Sequence, residues 1–201
     1  MFDLDGTILD SMPYWDHLGA KYLEKKGIEP PKDLDATLMT MTLLEGAEFL
    51  KKEFDLSGTA EEIMAEFLYD IKLSYQFEIP PKTGMKQIVR NAKKEADRVV
   101  LFTSSDAECV KGALKRLGLL RAFDAIYTAD QIGIGKDQKE AFLRVCELES
   151  VSPEDVKVYD DAHYAIKAAK EAGCYVVAVY DATMEEKWND ICKIADETIK
   201  Q

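Results

Sequence analysis

Arginine is scarce and late in this chain. None precedes Arg90, and only two histidines, His17 and His163, are present. Basic residues are outnumbered throughout, 26 Lys+Arg against 38 Asp+Glu in 201 residues, for a formal charge of −12. Such a chain lacks the cationic surface that dominates affinity for DNA or RNA, so a nucleic-acid partner is excluded. Phosphate chemistry remains open, because its positive charge can come from a metal. No apolar run approaches the roughly 20 residues that span a bilayer, and the N-terminus lacks the basic-then-apolar layout of a signal peptide. No membrane partner and a soluble, cytoplasmic protein are therefore expected. The four cysteines, Cys109, Cys146, Cys174 and Cys192, form no CxxC pair and read as reduced, packed thiols. No internal repeat or low-complexity segment is present, and no feature sets an oligomeric state.

What is there divides into two rhythms. Met1–Thr7 (MFDLDGT) reads as the end of a buried strand entering a tight glycine turn. Only two residues precede Asp3, where a central strand ordinarily takes about five, so the strand is expected either to be short or to begin upstream. From Tyr14 to Gln76 the pattern is helical throughout. Trp15, Leu18, Tyr22 and Leu23 share one face, Leu43, Leu44, Ala47, Phe49 and Leu50 another, and Ile63, Met64, Phe67, Leu68 and Ile71 a third. Thr59, with Glu62 three residues on, has the spacing of a capping box. Asp10 is expected to cap the first of these helices.

After Ile79-Pro80-Pro81 strands alternate with helices: Val99–Phe102, Ala125–Tyr127, Val156–Tyr159 and Tyr175–Val179 are β-branched or apolar runs, each separated from the next by helical spacing. That alternation predicts a doubly wound parallel α/β sheet covered on both faces. The expected organisation is an α/β core of residues 1–13 and 79–201, interrupted by an all-helical insertion at 14–78.

In such a sheet, function gathers at the carboxyl ends of the strands. Four polar clusters are expected there. Asp3 and Asp5 should point to the same side of the first strand, with Gly6 turning the chain and exposing backbone amides. Thr103, Ser104 and Ser105 offer a hydroxyl and N–H donors ahead of a helix N-terminus, where an anion is favoured. Lys136 supplies a cation on a loop, with Lys139 one turn away as its competitor. Asp160 and Asp161 form a second carboxylate pair. Two carboxylates can divide labour between nucleophile and acid/base, and oxygen ligands suit Mg²⁺. Taken together, the clusters suit metal-assisted phosphoryl transfer to an aspartate.

These residues resemble the motifs of the haloacid dehalogenase (HAD) superfamily, in the subfamily with a helical cap inserted after the first strand, to which phosphoglycolate phosphatases and β-phosphoglucomutases belong. Phe2–Ser11 (FDLDGTILDS) is similar to the first motif, DxDGT; Leu101–Ser105 resembles the second, Gly135-Lys136 the third, and Val158–Asp161 with Ala168–Gly173 the fourth. The resemblance implies a Rossmann-like core and a Mg²⁺-dependent phosphatase acting on a small phosphorylated metabolite through an aspartyl phosphate. It implies Asp3 as nucleophile, Asp5 as acid/base, and Lys136 as the residue orienting Asp3. Thr103, the Ser104 amide and the Gly6 turn would hold phosphate oxygens. Mg²⁺ would be held by Asp3, the Asp5 carbonyl and Asp161, with Asp160 bound directly or through water.

Departures from the family pattern bear on substrate. Asp5 argues against dehalogenases and phosphonatases, which lack an acid there. Where β-phosphoglucomutases carry a cap arginine, this chain has Thr40-Met41-Thr42-Leu43-Leu44. A mutase must grip a bisphosphorylated intermediate, so hydrolysis is the favoured reading and a mutase the alternative. A non-catalytic binding module on the same fold is the remote one. Ala162 and Ala165 replace the usual serine and glycine of the fourth motif. Trp15 is expected in a core, His163 at a solvent-facing helix start, and Lys72 in solvent, with Tyr14 and His17 candidates for a substrate-facing wall.

Overall fold

A computed structural model describes residues 1–200. The chain divides into two compact units, Met1–Asp10 with Pro80–Gln201, and Ser11–Ile79.

The second unit is wholly helical. Its helices are α1 (Met12–Asp16), α2 (Leu18–Lys25), α3 (Leu34–Leu38), α4 (Leu43–Glu53) and α5 (Ala60–Phe77). Tyr22, Leu23, Leu50, Ile63, Phe67, Ile71 and Tyr75 are buried in it, with the Tyr22 and Phe67 rings edge to face at 5.0 Å. Trp15 is half-buried rather than enclosed, and its indole donates to the Tyr75 hydroxyl at 3.0 Å. The Thr59–Glu62 capping box is present, and Thr42 with Glu45 makes a second. Thr59→Ala should therefore destabilise this unit by about 1 kcal/mol, read as a lower urea midpoint. Asp10 is not the helix cap. Ser11 takes that position without a side-chain cap bond, and the Asp10 N–H is committed to the Pro80 carbonyl at 2.9 Å. Pro13 sits in the first turn of α1, where a missing N–H does no harm.

The first unit is a parallel sheet of β1 (Val100–Thr103), β2 (Ala125–Thr128), β3 (Lys157–Asp160), β4 (Tyr175–Val179) and β5 (Glu197–Ile199). With it go α6 (Met85–Glu95), α7 (Ala107–Leu117), α8 (Ala129–Ile132), α9 (Lys139–Glu149), α10 (His163–Glu171) and α11 (Trp188–Ile194). β1 pairs with β2, and β3 with β4 and β4 with β5, all parallel. The first segment joins the two halves through one residue: Phe2 bridges Leu101 on one side and Tyr159 on the other. Its neighbours complete the ladder, Phe2 N–H to the Val100 carbonyl and Asp3 N–H to the Tyr159 carbonyl, both at 2.9 Å. The spatial order is thus β2-β1-Phe2-β3-β4-β5, and Asp3 leaves the sheet at its topological switch point.

β1 is buried along its whole length and β4 from its second residue on, as a sheet covered on both faces requires. Phe2 stacks on Tyr159 at 4.3 Å, and Phe102 meets Phe142 of α9 edge to face at 5.4 Å. Two strands run one residue further than the apolar runs suggested. Register carries β1 through Thr103, opposite Thr128, and β3 through Asp160, opposite Ala178. Both candidate polar residues therefore sit on the ladder and inherit its rigidity. Among the described residues no helix is long and apolar enough to cross a membrane.

Candidate functional site

The ends of the first segment and of β3, with the loop between α8 and α9, bring Asp3, Asp160, Asp161 and Lys136 together in a buried cluster of the first unit. Lys136 Nζ lies 2.6 Å from Asp3 Oδ1 and 2.5 Å from Asp160 Oδ2, with its side chain 3% exposed. It also stands 5.6 Å from the centre of the Phe102 ring. Lys139, its sequence competitor, is exposed on α9. Asp160 spends its other oxygen on the Ala162 N–H at 3.0 Å, so its carboxylate is fixed at both ends.

Gly6 adopts φ +70°, and any Cβ there would run into the Asp161 carboxylate. Glycine is thus required twice, by the left-handed turn and by the space Asp161 occupies. Thr7, buried beside it, donates to Asp161 Oδ1 at 2.8 Å. On the opposite flank the Ser105 hydroxyl donates to Asp5 Oδ2 at 2.5 Å. The sequence alone does not mark Thr7 or Ser105 as holding a carboxylate. The only signal was that each stands within two residues of a candidate.

Thr103 is buried at the end of β1 and its Oγ1 accepts the Ser105 N–H at 3.1 Å, while Ser104 is exposed between them. The helix that follows starts at Ala107, directly after the Ser-Ser-Asp stretch. Asp106 caps α7 by accepting the Glu108 and Cys109 N–H groups. An anion near Thr103 would therefore rely on the β1–α7 loop, because the α7 terminus is answered by its own aspartate.

Electrostatics set the character of the cluster. Burial pushes the Asp3 carboxyl up to about 7; Lys136 opposes that, and the neighbouring Asp160 and Asp5 carboxylates add to it. Asp161 is pushed well above its ordinary value, first by burial and then by Asp160 and Asp3, with Thr7 acting against the rise. Burial alone would lower the Lys136 ammonium, but Asp160 and Asp3 overcome it and hold it above its usual range. One cation thus faces three carboxylates whose ligand oxygens all lie within 4.8 Å of one another. The donor set is all oxygen, with no thiolate or imidazole, and it is short of positive charge. Such a group can hold a hard divalent cation.

Of the remaining residues, His163 is half-buried at the start of α10, and the half-exposed Tyr164 beside it has its hydroxyl pushed up to about 12 by partial burial and by Asp160. His17 lies in the helical unit with its Nδ1 2.5 Å from Asp35 Oδ2. Lys72 is exposed there, and Tyr14 is half-buried.

The chain is similar to known proteins in sequence and fold. The profile of the haloacid dehalogenase-like hydrolases matches residues 1–179. A phosphorylated carbohydrates phosphatase of Thermotoga maritima is 27% identical over 173 residues, covering 86% of this chain and 80% of that protein. A β-phosphoglucomutase of Bacillus subtilis is 27% identical over 194 residues, covering 89% and 81%. A solved Thermotoga maritima structure with the provisional name β-phosphoglucomutase superimposes with a TM-score of 0.86 at 24% identity, over 99% of this chain and 92% of that one, which shows the fold. With the profile spanning the first segment and all the strand ends that build the cluster, this chain belongs to the haloacid dehalogenase-like hydrolase family.

Proposed function

We propose that the protein is a Mg²⁺-dependent phosphatase that hydrolyses a small phosphorylated carbohydrate or polyol through an aspartyl phosphate on Asp3. The observation that carries this reading is the Asp3 carboxylate held at 2.6 Å by a buried lysine, inside a carboxylate group with room for a cation, and with a second, tethered carboxylate on Asp5.

Asp3 attacks phosphorus; the new bond is Asp3 O–P and the bond that breaks is P–O to the alcohol. Asp5, oriented by Ser105, gives its proton to the departing oxygen. Water then attacks the phosphorus of the aspartyl phosphate while Asp5 takes its proton back, which frees Asp3 and releases inorganic phosphate. Lys136 holds Asp3 in place and balances charge on the transferring group. Thr103 and the Ser104 amide accommodate phosphate oxygens beside it. Asp3, Asp161, the Asp5 carbonyl and Asp160 would hold Mg²⁺, which supplies positive charge against the phosphoryl oxygens. The helical unit would act as the cap that excludes water and selects the alcohol.

The substrate class follows the name of the Thermotoga relative and the chemistry of the helical unit, which contains no arginine to grip a second phosphate. The Bacillus relative favours a phosphomutase as the second reading. Purified protein incubated with a panel of hexose and polyol phosphates separates the two. Hydrolysis releases stoichiometric phosphate without an activator; a mutase gives isomerised product and needs a bisphosphate. EDTA should abolish turnover and Mg²⁺ restore it. Mg²⁺ at about 100 times its Kd should also stabilise the metal-free protein by about 2.7 kcal/mol, a rise in Tm of roughly 5–10 °C. Turnover unaffected by EDTA would overturn the reading.

A further inference from the structure

A second, largely buried ion pair lies at the same end of the sheet and is used by nothing above. Lys82 follows the point where the chain re-enters the first unit. Its N–H bonds the Ile8 carbonyl at 2.9 Å, and Pro81 bridges Leu9 in an antiparallel pair. Lys82 is thereby attached to the segment that continues directly from Asp3–Thr7. Its Nζ reaches across to the loop after β4, 2.6 Å from Asp181 Oδ2 and 2.7 Å from the Tyr180 carbonyl, with the two side chains only 12% and 5% exposed. The other Asp181 oxygen accepts from the N–H and the hydroxyl of Thr183, at 3.0 and 2.7 Å.

The location gives the pair its meaning. β3 and β4 are hydrogen-bonded neighbours with Asp160 opposite Ala178. Asp161 and Asp181 therefore follow adjacent strands off the same sheet edge, and both are buried. Asp181 is among the carboxylates that add to burial in lifting Asp161. A clamp alone has no need of charge here: an apolar pair of the same volume commonly holds two segments as well as a buried ion pair does. Charges add a field, which apolar groups cannot supply.

We propose that Lys82 and Asp181 are a positioning pair that sets the field at the Asp3–Asp160–Asp161 cluster, Asp181 strengthening and Lys82 moderating its attraction for a divalent cation. The inference rests on the metal site of the proposed function. Lys82 keeps the cation from being bound so tightly that its charge is neutralised against carboxylates alone, and Asp181 keeps Lys82 from repelling it. Both act through the cluster, without touching the reacting atoms.

The test is calorimetric titration of the metal-free protein with MgCl₂ at pH 8 and low salt, for the wild type, K82M, D181N, the double variant and K82R. D181N leaves an unmatched cation and should weaken Mg²⁺ binding on the order of tenfold; K82M leaves an unmatched anion and should tighten it severalfold. The double variant should return to within about threefold of the wild type, and K82R should match it. A purely structural role predicts weaker binding in both single variants. Shifts of the same sign, or shifts below about twofold in both, overturn the proposal. Circular dichroism checks folding. If K82M does not fold, D181N and K82R carry the sign test by themselves: D181N must weaken binding and K82R must not. Failure of the wild type to bind Mg²⁺ would instead remove the metal site itself, a result distinct from a wrong sign.

Discussion

Asp3→Asn should lower phosphate release by about 10⁴-fold or more and yet leave a folded protein that melts no lower than the wild type in EDTA. The loss corresponds to about 5.5 kcal/mol in the barrier, because a carboxamide oxygen cannot form the acyl phosphate and no other group in the cluster takes its place. The stability expectation follows from burial. The Asp3 carboxyl is pushed from an ordinary 3.8 up to about 7. A carboxyl whose folded value lies above its unfolded value weakens the folded state when ionised. That cost is fully present above about pH 7, shrinks as pH falls toward about 4, and is absent below. At pH 8 asparagine removes it, while Lys136 retains Asp160 at 2.5 Å. In Mg²⁺ the order reverses, since the variant lacks one carboxylate ligand and should lose part of the metal-induced rise in Tm. The measurements are kcat from phosphate release and melting curves in EDTA and in Mg²⁺. Activity within about tenfold of the wild type would place the nucleophile elsewhere.

How much of this site could be read from the chain alone depended on what each residue had to do. Asp3, Lys136, Asp160 and Asp161 combine a charged side chain with a position just past an apolar run, and few other roles fit both. Their assembly needed only the parallel sheet, which strand-helix alternation predicted. Thr7 and Ser105 were illegible because a hydroxyl near a carboxylate is commonplace in sequence, and only the φ +70° turn at Gly6 and the length of β1 bring Thr7 to Asp161 and Ser105 to Asp5. Asp10 misled for a related reason. Aspartate is a good helix cap wherever it can reach one, but pairing with Pro80 took this residue's backbone into the sheet unit first. The first strand shrinks to the single bridging residue Phe2, and β5 is three residues long with Glu197 and Thr198 exposed, so neither carries a full period of alternation. Lys82 and Asp181 lie 99 positions apart in unremarkable loops, and nothing in either stretch announces the other.

Lys136→Met tests the other half of the charge balance, and a large loss of stability is expected of it. Methionine matches the length of the lysine stem and suits the neighbouring Phe102 ring, so packing is nearly conserved and the change is electrostatic. Removing one partner from a buried ion pair typically costs about 3–5 kcal/mol, and here the partner serves two carboxylates at once, at 2.6 and 2.5 Å. A Tm lower by roughly 10 °C or more is expected in EDTA, with phosphate release reduced by at least about 10³-fold. The wild-type lysine holds its proton above its ordinary 10.5, so its contribution is complete at neutral pH and is lost only as pH climbs through that raised value. Arginine should not rescue it, because a planar fork cannot place one nitrogen between two carboxylates at these distances. Mg²⁺ provides the discriminating measurement. With Lys136 gone the three carboxylates are unopposed, a dication is worth more to the fold, and the Mg²⁺-induced rise in Tm should be larger in K136M than in the wild type. A smaller rise, or a variant that melts like the wild type in EDTA, would mean that Lys136 does not balance the cluster and that the site's neutral state is reached by protonating Asp3 or Asp161 instead.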